Sequence, residues 1–120
     1  MYLCIKFENT IMNREIYVYK NYFYDFLDTL SEKAADKVEY ALSLLECQDK
    51  VSKKFVKYLR DEVYELRAEY ESNIYRVFFI FDDGNIVVLF NGIQKKSQKT
   101  PQRELEKAIK LKEEYYASKS

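Results

Sequence analysis

Two apolar runs separated by a turn constrain this chain more than anything else in it. Residues 74–81 read Ile-Tyr-Arg-Val-Phe-Phe-Ile-Phe, residues 86–90 read Ile-Val-Val-Leu-Phe, and Asp83-Gly84 lies between them. β-Branched and aromatic residues pack well on a pleated surface, and an Asp-Gly pair tolerates the positive φ angles of a two-residue hairpin. The two runs are expected to be neighbouring antiparallel strands. Upstream, Glu62–Tyr70 alternates in polarity and predicts a third strand, joined through Ser72-Asn73, a weaker turn signal.

The flanks read as helices. Phe23, Phe26, Leu27 and Leu30 recur at helical spacing from about Asn21, and Ala34, Val38, Ala41, Leu42 and Leu45 do so after Ser31, a plausible N-cap. Ile16-Tyr17-Val18-Tyr19 is a short β-prone run, and Lys50–Arg60 reads as a basic connection into the sheet. Asn91–Thr100 reads as a polar loop. A last helix follows, with Thr100 as cap, Pro101 in its first position, and Leu105, Ala108, Ile109 and Tyr116 as its apolar stripe.

The two turns imply a register. A two-residue Asp83-Gly84 turn pairs Arg76 with Asn91, and a two-residue Ser72-Asn73 turn pairs Glu69 with Arg76 and Arg67 with Phe78. Since side chains alternate across a sheet, one face collects Leu66, Ala68, Tyr70, Tyr75, Val77, Phe79, Phe81, Ile86, Val88 and Phe90, which helices should cover. The other, open face collects Glu65, Arg67, Glu69, Arg76 and Asn91 at one end, with Phe78, Ile80, Val87 and Leu89 at the other. The loop bearing Lys95 and Lys96 leaves from the charged end. That cluster reads either as a cross-strand salt bridge between Glu69 and Arg76 or as a phosphate-binding cleft.

At 120 residues the chain is long enough for one domain and one core, and 48% hydrophobic residues exclude a disordered chain. No apolar stretch approaches the ~18 residues of a membrane span, and residues 1–8 are too short and polar for a signal peptide, so a cytoplasmic protein is expected. Cys4 and Cys47 fit no metal or redox spacing and read as reduced, inert thiols. Net charge is zero but unevenly spread. Residues 50–60 (Lys50, Lys53, Lys54, Lys57, Arg60) carry +5. Residues 93–112 (Lys95, Lys96, Lys99, Arg103, Lys107, Lys110 and Lys112 against Glu104 and Glu106) also carry +5, which leaves −10 elsewhere. A basic pole on an acidic body suits a polyanion and is also what a solvated surface produces by chance.

In order along the chain stand Tyr64-Glu65-Leu66-Arg67, Tyr75-Arg76-Val77-Phe78, Val88-Leu89-Phe90-Asn91-Gly92 and Gln94-Lys95-Lys96-Ser97-Gln98-Lys99-Thr100-Pro101, then a Glu-Lys-Ala helix. This series, over roughly residues 14–117, resembles the phage-derived, HigB-like branch of the RelE/ParE toxin superfamily. The resemblance implies an α+β, RelE-like fold: two N-terminal helices packed on a small twisted antiparallel sheet, with a C-terminal helix and the active site on the concave face of the sheet. It further implies ribosome-dependent cleavage of mRNA and a cognate antitoxin, commonly a helix-turn-helix protein. Neither a cofactor, a metal, a membrane nor a small-molecule substrate is implied. Carried onto this chain, the catalytic positions are Arg67, Arg76, Lys95 and Lys96, with Lys57, Asn91 and Lys99 as RNA-binding positions. Several relatives have a histidine where this chain has Asn91; with no histidine at all, His-based acid–base catalysis is excluded.

Arginine suits attack by a neighbouring 2′-hydroxyl, because it is always charged and presents a planar fork to phosphate oxygens. It is a poor base for the same reason. The proton acceptor would then be a lysine with a lowered pKa, Glu69 or Glu65, or a ribosomal group. Within the superfamily the alternatives are a non-enzymatic, ParE-like inhibitor of a protein target such as DNA gyrase, and a degenerate interaction module. Tyr115 and Tyr116 could stack on a base, or one could pack on the core while the other stays exposed. Residues 1–12 read as an extension of the single domain or, since Leu3, Ile5 and Phe7 alternate, as an added edge strand.

Overall fold

The computed structural model describes residues 14–96 and 99–119. Their elements are β1 (Glu15–Val18), α1 (Tyr22–Asp28), α2 (Glu32–Cys47), β2 (Val56–Arg60), β3 (Val63–Tyr70), β4 (Asn73–Asp82), β5 (Ile86–Lys95) and α3 (Gln102–Lys119). One sheet runs in the order β1-β5-β4-β3-β2. β2 to β5 are antiparallel neighbours, and β1 joins the far edge parallel to β5. The expected α+β architecture is present, with α1 and α2 packed on one face. The alternatives drawn for residues 1–12 lie outside the described residues.

Local chemistry explains these elements. Ser31 caps α2, its Oγ accepting the Ala34 N–H at 3.2 Å, and every apolar residue expected on that helix is buried. At the other end of α2, the Arg14 guanidinium donates to the carbonyls of Leu45, Gln48 and Asp49 at 2.7, 2.5 and 2.7 Å. A cation there also meets the negative end of the helix dipole. Cys47, the last residue of α2, is disulfide-bonded rather than a free thiol, which corrects the expectation of a reduced cysteine there; Cys4 lies outside the described residues.

The sheet departs from the expected register in three places. The β3–β4 turn is Glu71-Ser72, both at positive φ, so Tyr70 pairs with Asn73, Arg67 with Arg76 and Glu69 with Ile74. That moves the register by two residues and leaves the faces unchanged. The β4–β5 loop spans three residues, since Asp82 pairs with Ile86, and this one-residue difference exchanges the faces of β5. Val87 and Leu89 join the core under α1 and α2, while Val88 and Phe90 join the core under α3. Farther on, Val77 pairs with Gly92 and Phe79 with Leu89, so Phe90 and Asn91 together oppose Phe78 in a bulge.

Two segments expected to be irregular are strands. β2 lies within the basic connection 50–60, and β5 runs on through Asn91 and Gly92 to Lys95. The supposedly open sheet face is a second core. Leu105, Ala108, Leu111 and Tyr115 of α3 cover Val63, Phe78, Ile80, Val88 and Phe90. Tyr115 is buried and Tyr116 exposed, as one of the two readings of that pair had it.

Candidate functional site

The sheet brings Arg67 and Arg76 closer than their sequence spacing suggests. As register partners on β3 and β4 they share the face that α3 covers. Like charges directly opposite each other are unfavourable, and Glu65 lies between them. Its Oε1 is 3.2 Å from Arg76 Nε and its Oε2 is 3.4 Å from Arg67 Nε. The Thr100 hydroxyl donates to Glu65 Oε1 at 2.6 Å. Thr100 is thus bound to the sheet and does not cap α3, whose first backbone hydrogen bond runs from the Leu105 N–H to the Pro101 carbonyl.

Burial divides the cluster. Arg76 and Glu65 are fully buried, whereas the Arg67 side chain keeps 16% of its surface exposed. This corrects two expectations. Arg76 does not stand on an open face, and its carboxylate partner is Glu65, not Glu69, which is exposed. Burial pushes the Arg76 guanidinium below its ordinary pKa and Arg67 adds to this, while Glu65 pulls it back up. It stays charged at neutral pH. The three ionic groups together carry a formal +1, so the end of the sheet is cationic beneath its surface.

The remaining expected site residues are distributed around this centre. Lys57, exposed on β2, is the register partner of Glu65. Lys95 ends β5 opposite Ile74, which pairs with Glu69 in turn, and Lys96 follows; both lysines are exposed. Lys99 is exposed just before α3. Asn91 stands in the β5 bulge, two residues before Ile93, the register partner of Arg76. Asn91 is buried, and its Nδ2 donates to the backbone carbonyl and to Oε1 of Glu104 in α3, each at 3.2 Å. Those bonds tie the Asn91 side chain to α3.

Sequence reading put Glu65 on one face with Arg67 and Arg76 but paired Arg76 with Glu69, and it read Thr100 as a helix cap rather than as a partner of Glu65. Glu65-x-Arg67 is a strand spacing that puts both side chains on one face, which was the available signal. Thr100 had none, because it meets Glu65 only across 35 residues of chain. Among the described residues, no three of His, Cys, Asp and Glu gather as they would to hold a metal ion.

A separate polar cluster fixes α3. Buried Asp82, at the end of β4, accepts from the Tyr115 hydroxyl and from Lys119 Nζ, both at 2.5 Å. Those bonds hold the Asp82 carboxyl below the usual carboxylate range. Burial, helped by Asp82, pushes the Tyr115 phenol up to about 12.

Comparisons with known proteins agree with this architecture. The model of a family described as phage-derived protein Gp49-like (DUF891) matches residues 25–113. A chain in the crystal structure of the archaeal RelE–RelB complex from Pyrococcus horikoshii OT3 superposes with a TM-score of 0.52 at 14% identity. It covers 73% of this chain and 100% of that one, a likeness of fold. No curated protein matches significantly in sequence.

Proposed function

Because the chain belongs to the phage-derived Gp49-like family and shares its fold with a chain of a RelE–RelB complex, we propose that it is the toxin of a toxin–antitoxin pair and cuts messenger RNA on the ribosome. One observation carries the reading beyond fold: Arg67 reaches the surface while Glu65 and Arg76 hold it from beneath. A guanidinium fixed in this way costs little further ordering when it meets a phosphate. Lys57 flanks it on the next strand, and Lys95 and Lys96 stand at the same end of the sheet.

In this reading the 2′-hydroxyl of the RNA attacks the neighbouring phosphorus, the P–O5′ bond breaks to leave a 2′,3′-cyclic phosphate and a 5′-oxygen that takes up a proton, and Arg67 faces the charge that builds on the phosphoryl oxygens. Arg76 contributes from behind by holding the Glu65 carboxylate in place. Lys95, Lys96, Lys57 and Lys99 hold the RNA backbone, and a ribosomal group takes the hydroxyl proton. Glu65 is too buried to take it. The partners are the ribosome with its mRNA and a cognate antitoxin, and the setting is the cytoplasm.

The test measures two activities of one preparation: primer-extension mapping of mRNA on programmed ribosomes, and supercoiling by DNA gyrase. Ribosome-dependent cuts in the wild type that disappear in Arg67→Ala support the nuclease. Inhibited supercoiling without cuts would replace it with the ParE-like reading.

A further inference from the structure

β3 is longer than the strand beside it. β2 pairs with β3 only from Val63 to Leu66, and the chain before β2 turns away after the Arg67 N–H donates to the Phe55 carbonyl at 2.7 Å. That bond shows which way the strand's backbone groups point. In an antiparallel ladder alternate residues turn both their N–H and their C=O to the same side, so Glu69 presents its pair to the gap beyond β2. Among the described residues, no backbone hydrogen bond outside the strand ladders reaches Glu69. The gap opens into a bay of about 250 Å³ lined by Lys37 and Tyr40 of α2, Lys54 and Phe55 before β2, and Arg67 with Glu69 of β3. Lys37 and Lys54 are exposed. Tyr40 is 58% exposed and packs edge-on against Phe55, with ring centroids 6.2 Å apart.

We propose that this end of β3 is a docking site for an extended, acidic segment of a protein partner, which adds to the sheet beside Glu69 as a continuation of β2. Strand addition meets the backbone need, because an incoming strand offers a donor and an acceptor to the same residue. A phosphodiester backbone offers acceptors only, which leaves the Glu69 carbonyl unmet and sets the Glu69 carboxylate against a phosphate. Lysines on opposite walls select carboxylates on the incoming segment, and the Tyr40–Phe55 pair gives an apolar side chain a place to rest. Arg67 lines the bay as well, so a docked segment lies beside the surface proposed to meet RNA; peptide binding and RNA cleavage are separate measurements, and either can fail without the other.

The test uses a fluorescent, acetylated eight-residue peptide of alternating Glu and Val. Fluorescence anisotropy should show binding to the wild-type protein, and no binding by the Lys–Val counterpart. Reversing both charges, Lys37→Glu with Lys54→Glu, should weaken binding about tenfold, as expected for two exposed charge pairs replaced by repulsion. Both lysines are exposed, so melting temperature should not move. N-Methylating alternate peptide amides tests the backbone without touching the protein: one methylated set should lose binding and the other keep it. Exchange of the Glu69 amide should slow at least about tenfold in the complex. Equal binding of both methylated peptides, or unchanged Glu69 exchange, would overturn the proposal. So would an oligouridylate that binds the wild type and is lost in the same double variant.

Discussion

Arg67 and Arg76 stand opposite each other in the β3–β4 register, and one buried carboxylate, Glu65, touches both. Removing Arg76 leaves that carboxylate in a dry site with one remaining cation. Breaking a buried pair from one side is among the costlier single changes. Arg76→Ala should lower stability by about 3 kcal/mol, which for a domain of this size is a fall in melting temperature of about 10 °C. Arg76→Met, which refills the volume, should lose less. Thermal melting followed by circular dichroism measures both, and a wild-type melting temperature for Arg76→Ala would contradict the burial of the pair.

Gly92 is required by packing. A Cβ built there would sit 2.5 Å from Phe26 Cδ2 and 2.7 Å from Cγ, so the α1 ring lies directly on the β5 backbone. Gly92→Ala should cost about 1–3 kcal/mol, the usual range for overpacking a filled core. Phe26→Leu in the same background should return part of that loss. Urea denaturation of the two single variants and the double variant closes the cycle, and strictly additive losses would mean that the two sites do not touch.

The helices and the central strands were legible because their signals are local. Ser31 with the apolar series from Ala34 to Leu45 marks α2 by spacing alone, and the runs on either side of Asp83-Gly84 mark β4 and β5. The register was not legible, because it depends on one residue of loop length: Asn85 belongs to the turn, and this exchanges the faces of Val87, Val88 and Leu89. Gly92 reads as the opening of a loop, and only the approach of Phe26 explains why a strand continues through it. β2 was hidden by Lys57 and Arg60, charges that suit an edge strand. The arginine pair was legible as a shared end of one face. Its burial was not, because the stripe of α3 says nothing about which face of the sheet it covers.

The Asp82–Tyr115 pair should make stability sensitive to pH at both extremes. The Asp82 carboxyl is held below its ordinary value by Lys119 and Tyr115. On acidification below about pH 4 the unfolded chain takes up a proton before the folded one does. The stabilisation is therefore present above that pH and lost as pH falls through the folded value. The Tyr115 phenol is pushed up to about 12. The unfolded chain loses its proton near pH 10, so this contribution is present below pH 10 and lost as pH rises towards 12. Tyr115→Phe should flatten the alkaline loss and cost roughly 1.5–3 kcal/mol at neutral pH, the range for a hydrogen bond to a charged group. Asp82→Asn should flatten the acid limb. Urea midpoints from pH 3 to 11.5 measure both limbs, and an unchanged alkaline limb in Tyr115→Phe would remove Tyr115 from the account.

Activity should separate the two arginines in the opposite order to stability. Arg67 is the member of the pair with exposed surface, so it is the one that can meet a phosphate. Arg67→Ala leaves the Arg76–Glu65 pair and the Thr100 bond in place. It should therefore melt within a few degrees of wild type while cleavage falls about 10²–10³-fold, the scale of losing one preorganised donor to a developing charge. Arg67→Lys should recover only part of the rate, since a point charge does not replace a planar fork. Arg76→Met, assayed at a temperature where it is folded, should lose less activity than Arg67→Ala, because its effect reaches the RNA only through Glu65. Lys95→Ala with Lys96→Ala should weaken RNA binding and flatten its salt dependence with little change in cleavage at saturation. Single-turnover cleavage on programmed ribosomes, set beside melting curves for the same proteins, resolves these cases. Full cleavage by Arg67→Ala, with Arg76→Met inactive though folded, would show that the buried arginine is the one exposed to RNA on the ribosome, and the arrangement proposed here would be wrong.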